Sequence, residues 1–248
     1  MENKIGKEFI EMTKYKNLEE SLQSQGVPWP ELRKSLPQGA EIIPLPDGKS
    51  LKMDKLDFIG LVDKRATFRS YTDEKLSLQE LAYLLWGTQG VKSILTEKPV
   101  TKRTVPSAGS RHAFETYLLI NKVEGLEPGL YLYLALDHQL AHLPAPQDIA
   151  SILSVACQNQ PHVKNSAVTF FWDVVSHRMV WRYRQRGYRF MFLDAGHVCQ
   201  NLYLLAEAIG CGVCGIAAYD DELVNAALGL DGVEEFVLYI ATLGKRPK

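Results

Sequence analysis

The chain has 248 residues, of which 46% are apolar and 23% charged, and its 28 Lys and Arg face 29 Asp and Glu. That length allows one large domain or two small ones; the composition excludes global disorder, and a net charge of −1 argues against a general polyanion binder. Four cysteines make no disulfide scaffold in a chain this long, no apolar run predicts a spanning helix, and no h-region follows the N-terminus, so a soluble cytoplasmic protein is expected.

Residues 1–50 hold Pro28, Pro30, Pro37, Pro44 and Pro46. Their spacing favours extended and turn backbone, so this stretch is expected to be an arm lying on the body formed by residues 51–248, with Trp29 as its anchor. Ser77-Leu-Gln-Glu80 is a capping box. The helix it opens carries Leu78, Leu81, Ala82 and Leu85 on one stripe and should stop near Gly87 or Gly90. Strand-like runs follow at 114–120, 130–136, 167–175 and 236–243, with a short helix at 148–157. A long helix is predicted from about Met191 to Ile209, with Ala195, Val198, Cys199, Leu202, Leu205, Ala206 and Ile209 on one face. His197, Asn201, Leu204 and Ala208 form a second stripe, as expected of a helix buried in the fold or at a dimer interface. Gly210 is its stop. Asp220-Asp221 opens one more short helix that ends at Gly229. Neither GxGxxG after a strand nor GxxxxGK[ST] occurs, so neither a dinucleotide fingerprint nor a P-loop is present.

Four constellations could carry chemistry. In Arg65-Ala-Thr-Phe-Arg69, an extended backbone points residues 65, 67 and 69 the same way, a compact cationic patch suited to a phosphate or an electron-rich ring edge. Pro106-Ser-Ala-Gly-Ser-Arg111 is a small-residue turn that lets backbone amides approach a flat ligand, with Gly109 free to take unusual dihedrals. Residues 174–193 hold five arginines and no acid, interleaved with aromatics. If helical, Arg178, Arg182, Arg186 and Arg189 form one stripe, which fits the rim of an anionic ligand site or a solvated face better than a nucleic-acid surface. His197, Cys199, Cys211 and Cys214 invite a zinc reading, but residues 197 and 199 of one helix lie about 200° apart and cannot both face one ion. No metal site is expected.

The order of these segments resembles the nitroreductase superfamily of FMN-dependent oxidoreductases, and most of all its SagB-type dehydrogenases. The resemblance covers about residues 56–248, and the proline-rich arm is similar to segments preceding the core in that branch. It rests on Arg65-Ala-Thr-Phe-Arg-Ser-Tyr71 with the helix of residues 76–86, on Pro106-Ser-Ala-Gly109 with Gly129-Leu-Tyr-Leu-Tyr133, on Ala195-Gly-His-Val-Cys-Gln-Asn-Leu202 with Ala208-Ile-Gly210, and on the closing Thr242-Leu-Gly-Lys-Arg246. The resemblance implies an α+β fold, with a central, mostly antiparallel sheet flanked by helices, and an obligate homodimer joined through the long helix, with FMN sites built from both chains.

Carried over residue by residue, Arg65, Ala66, Thr67 and Arg69 would hold the FMN phosphate and the N1/O2 edge of the ring. Lys245 and Arg246 would complete the phosphate site. Pro106, Ser107, Ala108 and Ser110 would come from the partner chain. Gln158 falls near the pyrimidine edge, and Ala217 and Ala218 fall at the loop beside N5. Arg182 and Tyr183 match a Lys-Tyr pair that assists proton removal in azoline-oxidising members; an arginine, with a pKa above about 12, is a poor general base, so azoline oxidation is disfavoured. The expected activity is hydride transfer through flavin N5 on a small-molecule or peptide substrate. The alternatives are an NAD(P)H-dependent nitro or quinone reductase, and a non-catalytic flavin-retaining scaffold that grips an acidic partner through the arginine run.

Overall fold

The computed structural model describes residues 4–53, 55–95 and 97–247. Its elements in chain order are α1 (Lys4–Met12), β1 (Glu41–Pro44), α2 (Phe58–Lys64), α3 (Leu78–Gln89), β2 (Val91–Leu95), β3 (Val100–Arg103), β4 (Phe114–Ile120), β5 (Gly129–Leu134), β6 (Gln139–Leu143), α4 (Ile149–Ala156), α5 (Pro161–Asn165), β7 (Val168–Val175), α6 (Ser176–Tyr183), α7 (Gly187–Ala208), β8 (Cys211–Ile216), α8 (Asp221–Leu228) and β9 (Glu235–Lys245). Seven strands form one sheet in the order β1-β6-β5-β4-β7-β9-β8, every neighbouring pair antiparallel, and β2 and β3 make a separate hairpin. This is the expected mixed α/β architecture with a central antiparallel sheet and a long helix.

The middle strands are apolar on both faces because both faces are covered. Side chains alternate along a strand, so Val168, Phe170, Trp172 and Val174 of β7 join the core under α3 and α7, while Phe171 joins the core under α4 and α8. Tyr117 and Leu119 of β4 likewise face the second core, and Phe114, Leu118 and Ile120 the first. The helix signals act as the sequence suggests. Ser77 accepts from the Glu80 amide while Glu80 returns to the Ser77 amide; Asp220 caps α8, and Gly229 ends it in the left-handed region at φ 71°. Gly87 lets α7 close on α3, because a Cβ there would collide with Leu205. The Asn201 amide then donates to Gly87 O at 2.9 Å.

Two expectations need correction. The long helix begins at Gly187, four residues before Met191. The arginines of residues 178–189 form no single helical stripe, because α6 ends at Tyr183 and Arg184 adopts φ 48°, ψ −140°, a conformation costly for a residue with a Cβ. The run lies against residues 9–31 of the same chain instead. Arg178 Nε donates to Glu31 O at 3.0 Å, Arg186 to Thr13 O at 2.8 Å, and Arg189 to Thr13 Oγ1 at 2.5 Å and to Ile10 O. Arg184 pairs with Glu19. Trp29 meets Trp181 with ring centroids 4.5 Å apart, and the Arg111 guanidinium lies 4.9 Å and 5.4 Å from those two rings. Trp181 Nε1 donates to Val27 O at 3.0 Å. Trp29 is thus an anchor, and further along the proline-rich stretch β1 joins the sheet as its edge strand.

Candidate functional site

One cluster lies along the free edge of β8. Residues 65–69 leave α2 beside this strand: Thr67 bridges Val213 in parallel, and the Phe68 amide donates to Val213 O at 2.8 Å. Arg65 and Thr67 meet on one partner, Tyr203 of α7, with the Arg65 guanidinium 5.5 Å from the ring and Thr67 Oγ1 3.3 Å from the hydroxyl. The same hydroxyl accepts from the Gly215 amide at 2.9 Å. Arg69 lies beside Cys214 and His162. Lys245 and Arg246 arrive from the end of β9, paired with Glu80 and Glu207. Burial works against the Lys245 ammonium, but Glu80 holds it above the ordinary lysine value. The Arg246 guanidinium covers Phe68 at 5.3 Å. Arg65 and Arg69 pair with no acid among the described residues, so two positive charges remain uncommitted beside a strand edge. That donor set suits a phosphate dianion.

A second cluster surrounds the Pro106–Arg111 turn. Gly109, Ser110 and His112 all have positive φ, at 57°, 55° and 44°, so the turn is held in a costly conformation. Gly109 is required there: a Cβ would lie 2.5 Å from the Tyr183 hydroxyl and 3.2 Å from Arg182 Cδ. The predicted turn and the Arg182–Tyr183 pair therefore meet within one chain. Asp194 of α7 faces the Ser107 hydroxyl and the Ala108 amide, and its Oδ2 is buried without a partner. Burial pushes this carboxyl above the usual range, against the pull of Ser107 and Ala108. His112 is pushed down to about 3 by burial and by Arg103 and Arg111, which keeps it neutral and removes it as an acid. Of the five arginines in the run, Arg182 alone makes no hydrogen bond or ion pair with another described residue; it is exposed, with its guanidinium 5.6 Å from the Tyr183 ring. The anion-rim, solvated-face and acidic-partner readings of the run do not describe the other four, which are spent on the chain itself.

The two clusters lie on different sides of α7. Asp194 belongs to the turn cluster and Tyr203 to the strand-edge cluster. Nine residues of α-helix separate them by about 13 Å along the axis and by about half a turn in direction. On its outer side α7 exposes Phe192 and Leu193, 58% and 60% accessible, and α2 exposes Phe58 and Ile59.

Residues 62–245 match the model of the nitroreductase family. The chain belongs to that family. MJ1384 of Methanocaldococcus jannaschii, by its name a candidate nitroreductase, is 28% identical over 204 residues, spanning 82% of this chain and 96% of its own. The microcin B17-processing protein McbC of Escherichia coli is 25% identical over 162 residues, 63% of this chain and 58% of McbC. The trifolitoxin-processing protein TfxB of Rhizobium leguminosarum bv. trifolii is 28% identical over 134 residues, only 36% of its length. Among solved structures, the E. coli microcin synthetase McbBCD complex with truncated pro-MccB17 bound contains a chain that superposes with a TM-score of 0.63 at 20% identity, covering 97% of this chain and 87% of that one. The NADPH:FMN oxidoreductase of Vibrio harveyi, complexed with NAD+, gives 0.54 at 14% identity, covering 77% and 69%. These relatives support the SagB-type branch of the nitroreductases.

In this member of the nitroreductase family the remaining predicted positions fall as follows. Ala217 and Ala218 are exposed on the loop after β8. Gln158 is exposed at φ 57°; the neighbouring amide that reaches the loop is Gln160, whose Nε2 donates to Ala218 O at 2.9 Å. Cys157, Cys199 and Cys211 are buried thiols pushed up to about 12 by burial. Cys211 and Cys214 lie in β8, a strand the sequence reading passed over. Sequence reasoning also missed Asp194 and Tyr203. Asp194 left a signal: it is an acid at an i+3 place on the Met191, Val198, Leu202 stripe.

Proposed function

We propose that this chain is an FMN-dependent oxidoreductase of the SagB type that works as a homodimer, with each flavin site built from the strand-edge cluster of one chain and the turn cluster of the other. The observation that carries the proposal is the disposition of the two clusters on opposite faces of α7, each incomplete without a second copy. Arg65, Thr67 and Arg69, with Lys245 and Arg246 behind them, would hold the FMN phosphate and the pyrimidine edge. The partner's turn would cover the ring with small side chains. Bound FMN would supply a two-electron carrier that takes and gives hydride at N5. Phe192 and Leu193 on α7, with Phe58 and Ile59 on α2, supply the apolar area such a dimer would bury.

Arg182 and Tyr183 would face the substrate, since Arg182 is the uncommitted arginine and both touch the turn. Arg182 orients an anionic or carbonyl group and Tyr183 holds or moves the proton, because a guanidinium does not give one up. The names of TfxB and McbC favour a peptide substrate over a free nitro compound. The absorption spectrum of the purified protein tests the cofactor: bands near roughly 370 and 450 nm, with FMN released on denaturation, are expected. A colourless protein that stays colourless after incubation with FMN refutes the reading. Anaerobic mixing with NADH and NADPH then separates reductase from dehydrogenase; failure of both to bleach the flavin excludes the reductase version.

A further inference from the structure

On the far side of the sheet from α7, the arm segment at residues 32–36 roofs a cavity of about 130 Å³. Leu32 and Leu36 form the roof, Leu132 and Leu134 a wall, and Arg103 and Glu115 the polar end. Arg33 and Asp137 form an ion pair at the rim, tying the arm to the turn between β5 and β6. Six of the eleven lining residues are apolar, and the charged ones are Arg33, Lys34, Arg103, Glu115 and Asp137.

The charge at that end is not balanced pair by pair. Glu115 is held by Arg178 at 2.6 Å, and Lys34 is shared between Asp173 and Glu235. Arg103, only 6% accessible, makes its hydrogen bonds to neutral groups, its Nη1 donating to Gln89 Oε1 at 2.9 Å and its Nε to Thr101 Oγ1 at 3.2 Å, and its nearby counter-charge, Glu115, is already bonded to Arg178. Its Nη2 makes no hydrogen bond to another described residue. Asp173 lies directly across the strand pair from Glu115 and is pushed up to about 7 by burial, so near neutrality it offers only part of a negative charge to this group. Arg103 and Arg178 thus share the single Glu115 carboxylate; two buried guanidiniums on one carboxylate are costly, and the planar fork of Arg103 matches a second carboxylate.

We propose that this cavity is a binding site for a short aliphatic monocarboxylate, its carboxylate on Arg103 and its alkyl chain between the arm leucines and β5. The volume fixes the size. It is close to the roughly 150 Å³ of a cavity that takes benzene, so a ligand of about six non-hydrogen atoms fits, and butyrate has that number. The site shares no residue with either cluster of the proposed flavin site, so it stands or falls independently of the FMN reading.

Calorimetric titration of the full chain with sodium butyrate tests the proposal, with butyramide and sodium chloride as controls. Saturable binding of butyrate at one site per chain is expected, at least tenfold weakened in Arg103→Gln and partly restored in Arg103→Lys. Because Arg103→Gln removes a buried group and can unsettle the fold, Ala135→Leu provides a second variant that fills the cavity from a half-buried position; it should abolish binding without lowering the melting temperature. Absence of saturable heat with butyrate, equal binding of butyramide, or unchanged affinity in Arg103→Gln would each overturn the proposal.

Discussion

The buried ion pair between Glu115 and Arg178 makes a directional prediction about stability. The two groups are 2.6 Å apart with side chains 9% and 5% accessible, and Arg103 faces the same carboxylate. Removing one partner of such a pair costs about 3–5 kcal/mol, because the survivor stays buried and uncompensated. The geometry separates the two removals. In Arg178→Met, Glu115 keeps Arg103 as a counter-charge, so the loss should sit at the lower end, about 3 kcal/mol. In Glu115→Gln, two guanidiniums lose their shared carboxylate, so the loss should reach the upper end, about 5 kcal/mol. Combining Arg178→Met with Glu115→Met should recover part of the Glu115→Gln loss, leaving one unpaired guanidinium in place of two. Urea unfolding followed by tryptophan fluorescence, at one fixed protein concentration, measures the series. A larger loss in Arg178→Met than in Glu115→Gln would refute the reasoning, since the third charge would then not be shared.

Three other outcomes follow from local geometry. Gly109→Ala places a Cβ against the Tyr183 hydroxyl at a φ of 57° and should lower stability by about 1–2 kcal/mol; adding Tyr183→Phe should restore part of the melting temperature, and no restoration would mean that the collision is not with that hydroxyl. Trp29→Ala removes the ring that packs against Trp181 and Arg111, so limited trypsin digestion should cut faster at Lys14, Lys16, Arg33 and Lys34 while circular dichroism stays unchanged. Asp173 carries a raised folded-state value of about 7 against 3.8, so the native state binds the extra proton and stability should fall as pH rises from about 4 to 7. Asp173→Asn should flatten that slope in urea midpoints measured across the range, and an unchanged slope would assign it to another group.

The sequence carried the sheet and helix signals well where a local rule decides. The strand at 114–120 has the predicted bounds, and the capping box at Ser77, the Asp220 cap and the Gly229 stop act as read. Strand β8 was missed because Cys-Gly-Val-Cys-Gly-Ile has two glycines and no alternation; its pairing with β9, where Gly212 faces Gly244, is a tertiary decision. The arginine run was misread because its periodicity is helical but its backbone is broken at Arg184, and nothing local forecasts a positive φ at an arginine. Its partners, the carbonyls of Ile10, Thr13 and Glu31, lie more than a hundred residues away. Within the candidate site, residues 65–69 and the turn after Pro106 were legible as clusters. Their separation to opposite faces of α7 was not, because it depends on the count of residues between Asp194 and Tyr203 and on where each side chain lands.

That separation has a genetic consequence. Under the two-chain site proposed above, a lesion at Arg69 spoils the half-site one chain contributes, and a lesion at the Ser107 turn spoils the other half. Each homodimer alone is dead, yet a hybrid of the two variants concentrates both lesions in one of its sites and leaves the second intact. Random subunit exchange makes half the dimers hybrids, so two inactive preparations, mixed and allowed to exchange, should recover about a quarter of wild-type activity.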